Sequence, residues 1–324
     1  IGMVLVRNRD AQLVSAESRS NRKGAGSMKK VVLSVLAALA VSTAAPAFAA
    51  DMPVKAAKVA VAAPSPWDVA FGVAGTSDYV LRGVSQSNHK PAVQGYFEVD
   101  YTVNDWLKLY AGVWGSSLWT GFADAEFDLT GGGRLTFGNF GLDLGYIYYY
   151  YPGGVNTAST PQLANGSYSE VYAKPSYKFN DWLTVGGIFE TGFNNYNNKV
   201  VATPGVWIGD ARHYFYAVNA TIALPVPMPY GITVALNPEI GREYYSSGVT
   251  NNMGFVSDTY WDVGLVFNYK AATLDLRYWG TNVKPNALAP NQCNTALGSG
   301  GSSNLCGDRF VATLKFDTTL SALK

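Results

Sequence analysis

The chain has 324 residues, with 24 Lys and Arg against 23 Asp and Glu and a formal net charge of +1, so it carries no basic field for nucleic acid. Charged residues make up 15%, well under the ~25% usual for a soluble globular chain, while Tyr (21) and Gly (34) are abundant. Beyond residue 50 no run nears the ~20 apolar residues needed for a membrane-crossing helix.

Residues 1–27 are polar and lack apolar periodicity, and they read as an upstream extension outside the folded protein. Met28-Lys29-Lys30, the apolar run Val31–Val41 and Ala47-Phe48-Ala49 follow. These are the basic, apolar and small-x-small parts of a secretory signal peptide over 28–49, cut after Ala49. The apolar run is too short to cross ~30 Å of hydrocarbon. Residues 50–66, rich in Ala, Pro and Lys, read as a leader.

From Trp67 the residues alternate. Trp67, Val69, Phe71, Val73, Tyr79 and Leu81 share one parity; Asp68, Ala70, Ala74, Thr76, Asp78 and Arg82 share the other. A strand with one face in lipid and one in a lumen has this period of two. It recurs around 93–101, 107–113, 127–131, 140–146, 171–173, 183–185, 214–222, 232–236, 261–269, 274–278 and 310–316. The pattern predicts an all-β, antiparallel transmembrane barrel of about twelve strands over 67–320, with 321–324 as a tail. Strands in lipid must pair around a closed circle, because an open edge would leave backbone groups unsatisfied. An exported chain of this kind belongs in the outer membrane of a Gram-negative cell, with membrane lipid and the barrel-assembly machinery as partners.

The connections alternate in length. Short turns are expected at Asn104-Asp105, Gly138-Asn139, Asn180-Asp181, Pro225 to Gly231 and Lys270-Ala271, on the periplasmic side. Longer loops are expected at 84–91, 118–123, 152–166, 195–212, 246–258 and 283–307. Asn-Asp-Trp-Leu occurs at both 104–107 and 180–183, where Asn and Asp tolerate a left-handed turn backbone and Trp suits the membrane–water boundary. Parity alone would aim Trp106 inward. Gly131-Gly132-Gly133 falls mid-strand, where glycine relieves wall curvature.

The inner parity gathers most of the charge. The lumen-lining candidates are Asp68, Asp78, Arg82, Glu98, Asp100, Lys108, Arg134, Asp143, Lys174, Glu190, Asp262, Asp275, Arg277, Arg309 and Lys315. Glu126, Asp128, Glu170, Lys178, Glu239 and Asp317 share that parity. Charge on the lipid face would cost about 2–4 kcal/mol near the midplane. Arg242 breaks parity, placing it either beyond the membrane or after a bulge near Pro238. Asp100 should face Lys108 across the Asn104 turn if that loop spans three residues, and Arg277 should lie near Asp262.

Two functions fit this face. One is an open channel for small hydrophilic solutes or ions, with a weak cation preference from the excess of acids. The other is a closed structural or surface-binding barrel filled by its own ion pairs. His89 and His213 are the only histidines; the first falls in a loop, and the second lacks the His-x-Ser pairing of barrel phospholipases. No catalytic residue, metal-ligand cluster or cofactor motif is apparent, and the chain reads as a non-enzyme. Cys293 and Cys306 flank a Gly/Ser-rich span in one loop and are expected to form a disulfide.

Gly75-Thr-Ser-Asp-Tyr-Val-Leu-Arg-Gly-Val-Ser-Gln-Ser87, followed by Pro91-Ala-Val-Gln-Gly-Tyr-Phe97, resembles the TorF-family porins, outer-membrane proteins of largely unknown function. The resemblance runs from about Trp67 to Phe316 and takes in the Asn-Asp-Trp-Leu turns and Cys306-Gly-Asp-Arg-Phe310. It implies a barrel and a pore, with no substrate and no catalytic residues to carry over. It also implies a terminal aromatic residue read by the assembly machinery; here the last aromatic is Phe316.

Overall fold

The computed structural model describes residues 65–119, 123–153, 167–192, 212–246, 255–285, 292–294 and 304–323. The extension, the signal peptide and nearly all of the leader lie outside these residues.

Twelve antiparallel strands close into a barrel. They are β1 (Trp67–Thr76), β4 (Ala92–Asn104), β5 (Leu107–Ser117), β6 (Ala125–Phe137), β7 (Phe140–Tyr150), β8 (Tyr168–Lys178), β9 (Leu183–Gly192), β10 (His213–Leu224), β11 (Thr233–Tyr245), β12 (Asp258–Tyr269), β13 (Ala272–Thr281) and β14 (Arg309–Thr319). Each strand pairs with its neighbours in sequence, and β1 closes the ring by pairing with both β4 and β14. Two further short strands, β2 (Val80–Leu81) and β3 (Val84–Ser85), pair only with each other. No helix among the described residues is long and apolar enough to cross a membrane.

The alternation sorts the side chains. In β1, Ala70, Gly72, Ala74 and Thr76 are buried while Phe71, Val73 and Gly75 are exposed. The outer wall carries Val73, Val93, Phe97, Leu129, Phe189, Val218, Ile240 and Phe310, all exposed, which is the apolar band that lipid requires. The run Tyr148-Tyr149-Tyr150-Tyr151 obeys the same rule: Tyr148 and Tyr150 stack on each other, with Tyr150 exposed, while Tyr149 and Tyr151 are buried. The interior therefore holds aromatic rings as well as charges.

The two Asn-Asp-Trp-Leu copies form the same turn. Asn104 Oδ1 accepts from the backbone N–H of Trp106 at 3.0 Å and of Leu107 at 2.9 Å. Asn180 Oδ1 accepts from Trp182 at 3.0 Å and Leu183 at 2.9 Å. The expected left-handed backbone is absent from these four Asn and Asp residues; the Asn side chain closes the turn instead. A register shift between Thr102 and Asn104 sets Lys108 opposite Thr102 and Asp100 opposite Tyr110, so the expected Asp100–Lys108 pair does not form. Trp106, just before β5, is exposed and stacks on Phe137 with centroids 5.9 Å apart.

Within the triple glycine, Gly132 makes room for a neighbouring side chain. A Cβ on Gly132 would lie 2.5 Å from the Tyr110 hydroxyl, and one on its partner Gly145 would collide with the Tyr172 ring. The two glycines leave room for Tyr110 and Tyr172 to lie flat along the inner wall and meet hydroxyl to hydroxyl. Arg242 sits near the end of β11 and donates to Thr259 at 3.0 Å. Pairing with β12 runs unbroken through Asn237, Pro238 and Glu239; pairing with β10 is interrupted at Asn237 and Pro238 but resumes in the same register, so no bulge forms there.

Candidate functional site

The expected first strand, running to Leu81 with Arg82 on the wall, is corrected. Pairing with β4 stops at Thr76, opposite Ala92; Ser77 still donates to the Ala312 carbonyl of β14, and the residues after it, up to 91, leave the wall. They turn into the barrel as the β2–β3 hairpin. Its two central turn residues, Arg82 (φ 47°) and Gly83 (φ 82°), both have positive φ, the arrangement that matches the twist of a two-residue hairpin. Gly83 lies against the wall so closely that a Cβ would come within 2.8 Å of Tyr260 Cβ. Arg82 has no such excuse, and a non-glycine residue there marks a position fixed by its contacts.

Asp78, expected on the wall, instead organises the base of the hairpin. Its Oδ1 accepts from Ser85 Oγ at 2.6 Å and Ser87 Oγ at 2.8 Å, and Ser87 Oγ in turn accepts from the backbone of Tyr79 at 2.8 Å. Arg309, the first residue of β14, donates to Asp78 Oδ2 at 3.1 Å. His89 Nε2 donates to the Asn304 carbonyl at 2.6 Å, and Ser85 N donates to the Leu305 carbonyl at 2.7 Å. Cys293 and Cys306 are disulfide-bonded, and both are buried with Val84, Val283 and Leu305. The bonded loop thus braces one flank of the hairpin. On the other flank Tyr79 packs edge-on to Trp114 at 5.4 Å, and Val80 joins Phe215, Tyr260 and Trp279.

Around the ring, five strands lie between β1 and β9 in either direction, so the two face each other across the barrel. The hairpin crosses this full width. Arg82 ion-pairs with Glu190 of β9, donates to Glu243 of β11 at 2.6 Å and to Glu170 of β8 at 3.1 Å, and lies 4.1 Å over the Phe215 ring of β10. His213 of β10 lies between two of these acids, with Nε2 2.8 Å from Glu243 and Nδ1 2.9 Å from Glu170. Tyr149 donates to Glu170 at 2.9 Å, and Lys174 stands 3.8 Å from Glu190. Arg82 and the three glutamates are all buried. They lie within three residues of the strand ends, at the mouth that carries the long loops.

Below this level the inward charges form separate groups. Arg134 holds Glu98 through two bonds of 2.9 and 3.0 Å, reaches Asp100 at 3.2 Å and Asp143 at 3.4 Å, and stacks 3.9 Å from the Tyr110 ring. Arg277 pairs with Asp262, as expected, and with Asp275 at 2.8 Å. Lys315 pairs with Asp317 at 2.9 Å, Tyr260 donates to Glu239, and Ser321 Oγ donates to Asp68 at 2.5 Å. Lys178 pairs with Asp181 in the adjoining turn at 2.8 Å. Lys108 makes no ion pair among the described residues. Glu126 and Asp128 are fully buried beside each other, and Tyr79 donates to Glu126 at 3.4 Å.

Sequence reasoning missed Glu243 and Asp258 and gave His213 no partner. Glu243 was legible: it continues the parity of Glu239 along β11. Asp258 was assigned to a loop, yet it opens β12 on the parity of Asp262. The convergence of β8, β9, β10 and β11 on a residue from beside β1 has no local signal.

A family model described as a bacterial protein of unknown function (Gcw_chp) matches residues 60–303. The search of curated proteins returned no match. Among solved structures, an outer-membrane channel from Pseudomonas putida F1 is 12% identical, with a TM-score of 0.44 over 80% of this chain and 97% of its own. A NanC porin is 11% identical, with a TM-score of 0.42 over 77% and 98%. The CymD monoaromatic hydrocarbon channel is 8% identical, with a TM-score of 0.40 over 79% and 89%. Likeness of this order bears on neither ligand nor mechanism.

Proposed function

We propose, for a chain that belongs to the Gcw_chp family of bacterial proteins of unknown function, that it is an outer-membrane channel for small hydrophilic solutes or ions, held shut at its outer mouth by the hairpin of residues 77–91. The observation that carries this reading is the way the hairpin is fastened. Its tip carries Arg82, whose charge–charge contacts reach three carboxylates of a wall that closes without it, beside the apolar contacts of Leu81 and Gly83. A permanent core would be better served by apolar packing, since a buried ion pair gains little over a hydrophobic filling of the same volume.

Other features support the reading. The inner wall carries both signs of charge in discrete groups, such as Arg134 with Glu98 and Arg277 with Asp262, which favours polar over apolar passengers. The resemblance of residues 75–97 to the TorF-family porins points the same way. The long loops then face outward, and the short turns, with both ends of the barrel chain, face the periplasm. The rival reading, a barrel closed for good, draws on the apolar flanks of the hairpin, where Tyr79, Val80 and Val84 join buried clusters.

Proteoliposome swelling separates the two. Replacing residues 79–88 with a short Gly/Ser linker should speed the uptake of small sugars and amino acids while the barrel stays folded. Equal, negligible uptake by both proteins would sink the channel reading.

A further inference from the structure

The wall opposite β1 holds a complete receptor for a guanidinium group, and its present occupant is the protein's own Arg82. Glu170, Glu190 and Glu243 converge from three strands, and Phe215 supplies a flat aromatic surface 4.1 Å from the guanidinium carbon. Tyr149 and His213 fix the carboxylates from behind. None of these wall residues belongs to the hairpin. With all three glutamates ionised, the charge count calls for a cation. With His213 protonated, His213 and Lys174 face three carboxylates and leave one negative charge over; with His213 neutral, two are left. Carboxylates on several sides and a ring against one face select a planar, multiply donating cation over a compact ammonium.

We infer that this is a ligand site for solutes carrying a free guanidinium group, of the arginine side-chain type, and that the hairpin is an internal mimic of that ligand. A solute arriving at the long-loop mouth takes the place of Arg82 among Glu170, Glu190 and Glu243, and the hairpin is released. The inference rests on the gated-channel reading for its purpose, but binding itself needs no conduction.

The test uses the full-length barrel folded in detergent, with L-arginine and L-lysine as probes. Calorimetry on Arg82→Ala should show arginine binding at least about tenfold tighter than lysine, the margin that one or two lost charge-assisted hydrogen bonds would give. Adding Glu190→Gln should remove that margin. In the otherwise native barrel carrying Leu81→Cys, arginine should raise the rate of thiol labelling about tenfold in its working range, and lysine should leave it unchanged; this arm decides the matter if Arg82→Ala fails to fold. A static latch would accept a guanidinium group into the vacated hole but would not yield to free arginine. No arginine preference in Arg82→Ala, or labelling indifferent to arginine, overturns the inference. Arginine-specific labelling with no solute passage would leave the ligand site standing and remove the channel; passage with no arginine response would do the reverse.

Discussion

Arg82 carries the largest consequence of any single residue. Its backbone is left-handed, a conformation few non-glycine residues adopt, and its guanidinium serves three carboxylates at once. Removing one partner from a buried ion group typically costs about 3–5 kcal/mol. Arg82→Ala should therefore open the hairpin, seen as rapid protease cleavage within residues 77–91 of an otherwise resistant barrel. Gly83→Ala should do the same for a steric reason: φ is 82° and the added Cβ would meet Tyr260 at 2.8 Å. A hairpin as protected as wild type in Gly83→Ala would contradict this packing. Asn104→Ala and Asn180→Ala each remove an oxygen that accepts two backbone N–H groups, and each should destabilise the barrel by about 1–2 kcal/mol in urea unfolding from lipid vesicles. The repeated tetrapeptide was legible as a turn. Its mechanism was not, because the choice between a left-handed backbone and a side-chain acceptor depends on geometry that residue type leaves open.

Among the elements, the hairpin and the disulfide loop act together. Ser85 and His89 bond to the backbone at Asn304 and Leu305, and Cys293 and Cys306 hold that backbone in place. Replacing both cysteines with serine should raise thiol labelling at Leu81→Cys several-fold and leave barrel unfolding little changed, since the cross-link closes a short loop at one mouth. Equal labelling with and without the disulfide would show that the loop does not brace the hairpin. The strands themselves were legible, because a closed wall between lipid and a polar interior imposes period two on every member. The end of β1 was not. Val80 and Arg82 continue its parity, and nothing in the alternation reports that the partner strand begins only at Ala92. An inward hairpin and a longer wall strand read alike until pairing is known.

At the scale of the whole molecule, the barrel is a polar interior divided into two zones. At the long-loop end Arg82 meets β8 to β11, and groups of paired charges occupy the wall below it. The charges of the lower wall were visible as a parity class, whereas the latch joins residues six strands apart and no local pattern could show it. If the lower wall lines a path, Arg277→Ala should leave Asp262 and Asp275 without their cation and shift ion selectivity toward cations, read as a change in reversal potential across a salt gradient. An unchanged reversal potential in a conducting protein would place the path elsewhere. The central claim is that the hairpin is a removable closure held by Arg82. Single-channel recording in planar bilayers tests it most directly. The account predicts rare, brief openings in the wild type and long-lived, discrete conductance steps in Arg82→Ala; membranes equally silent with both proteins at high load would contradict it.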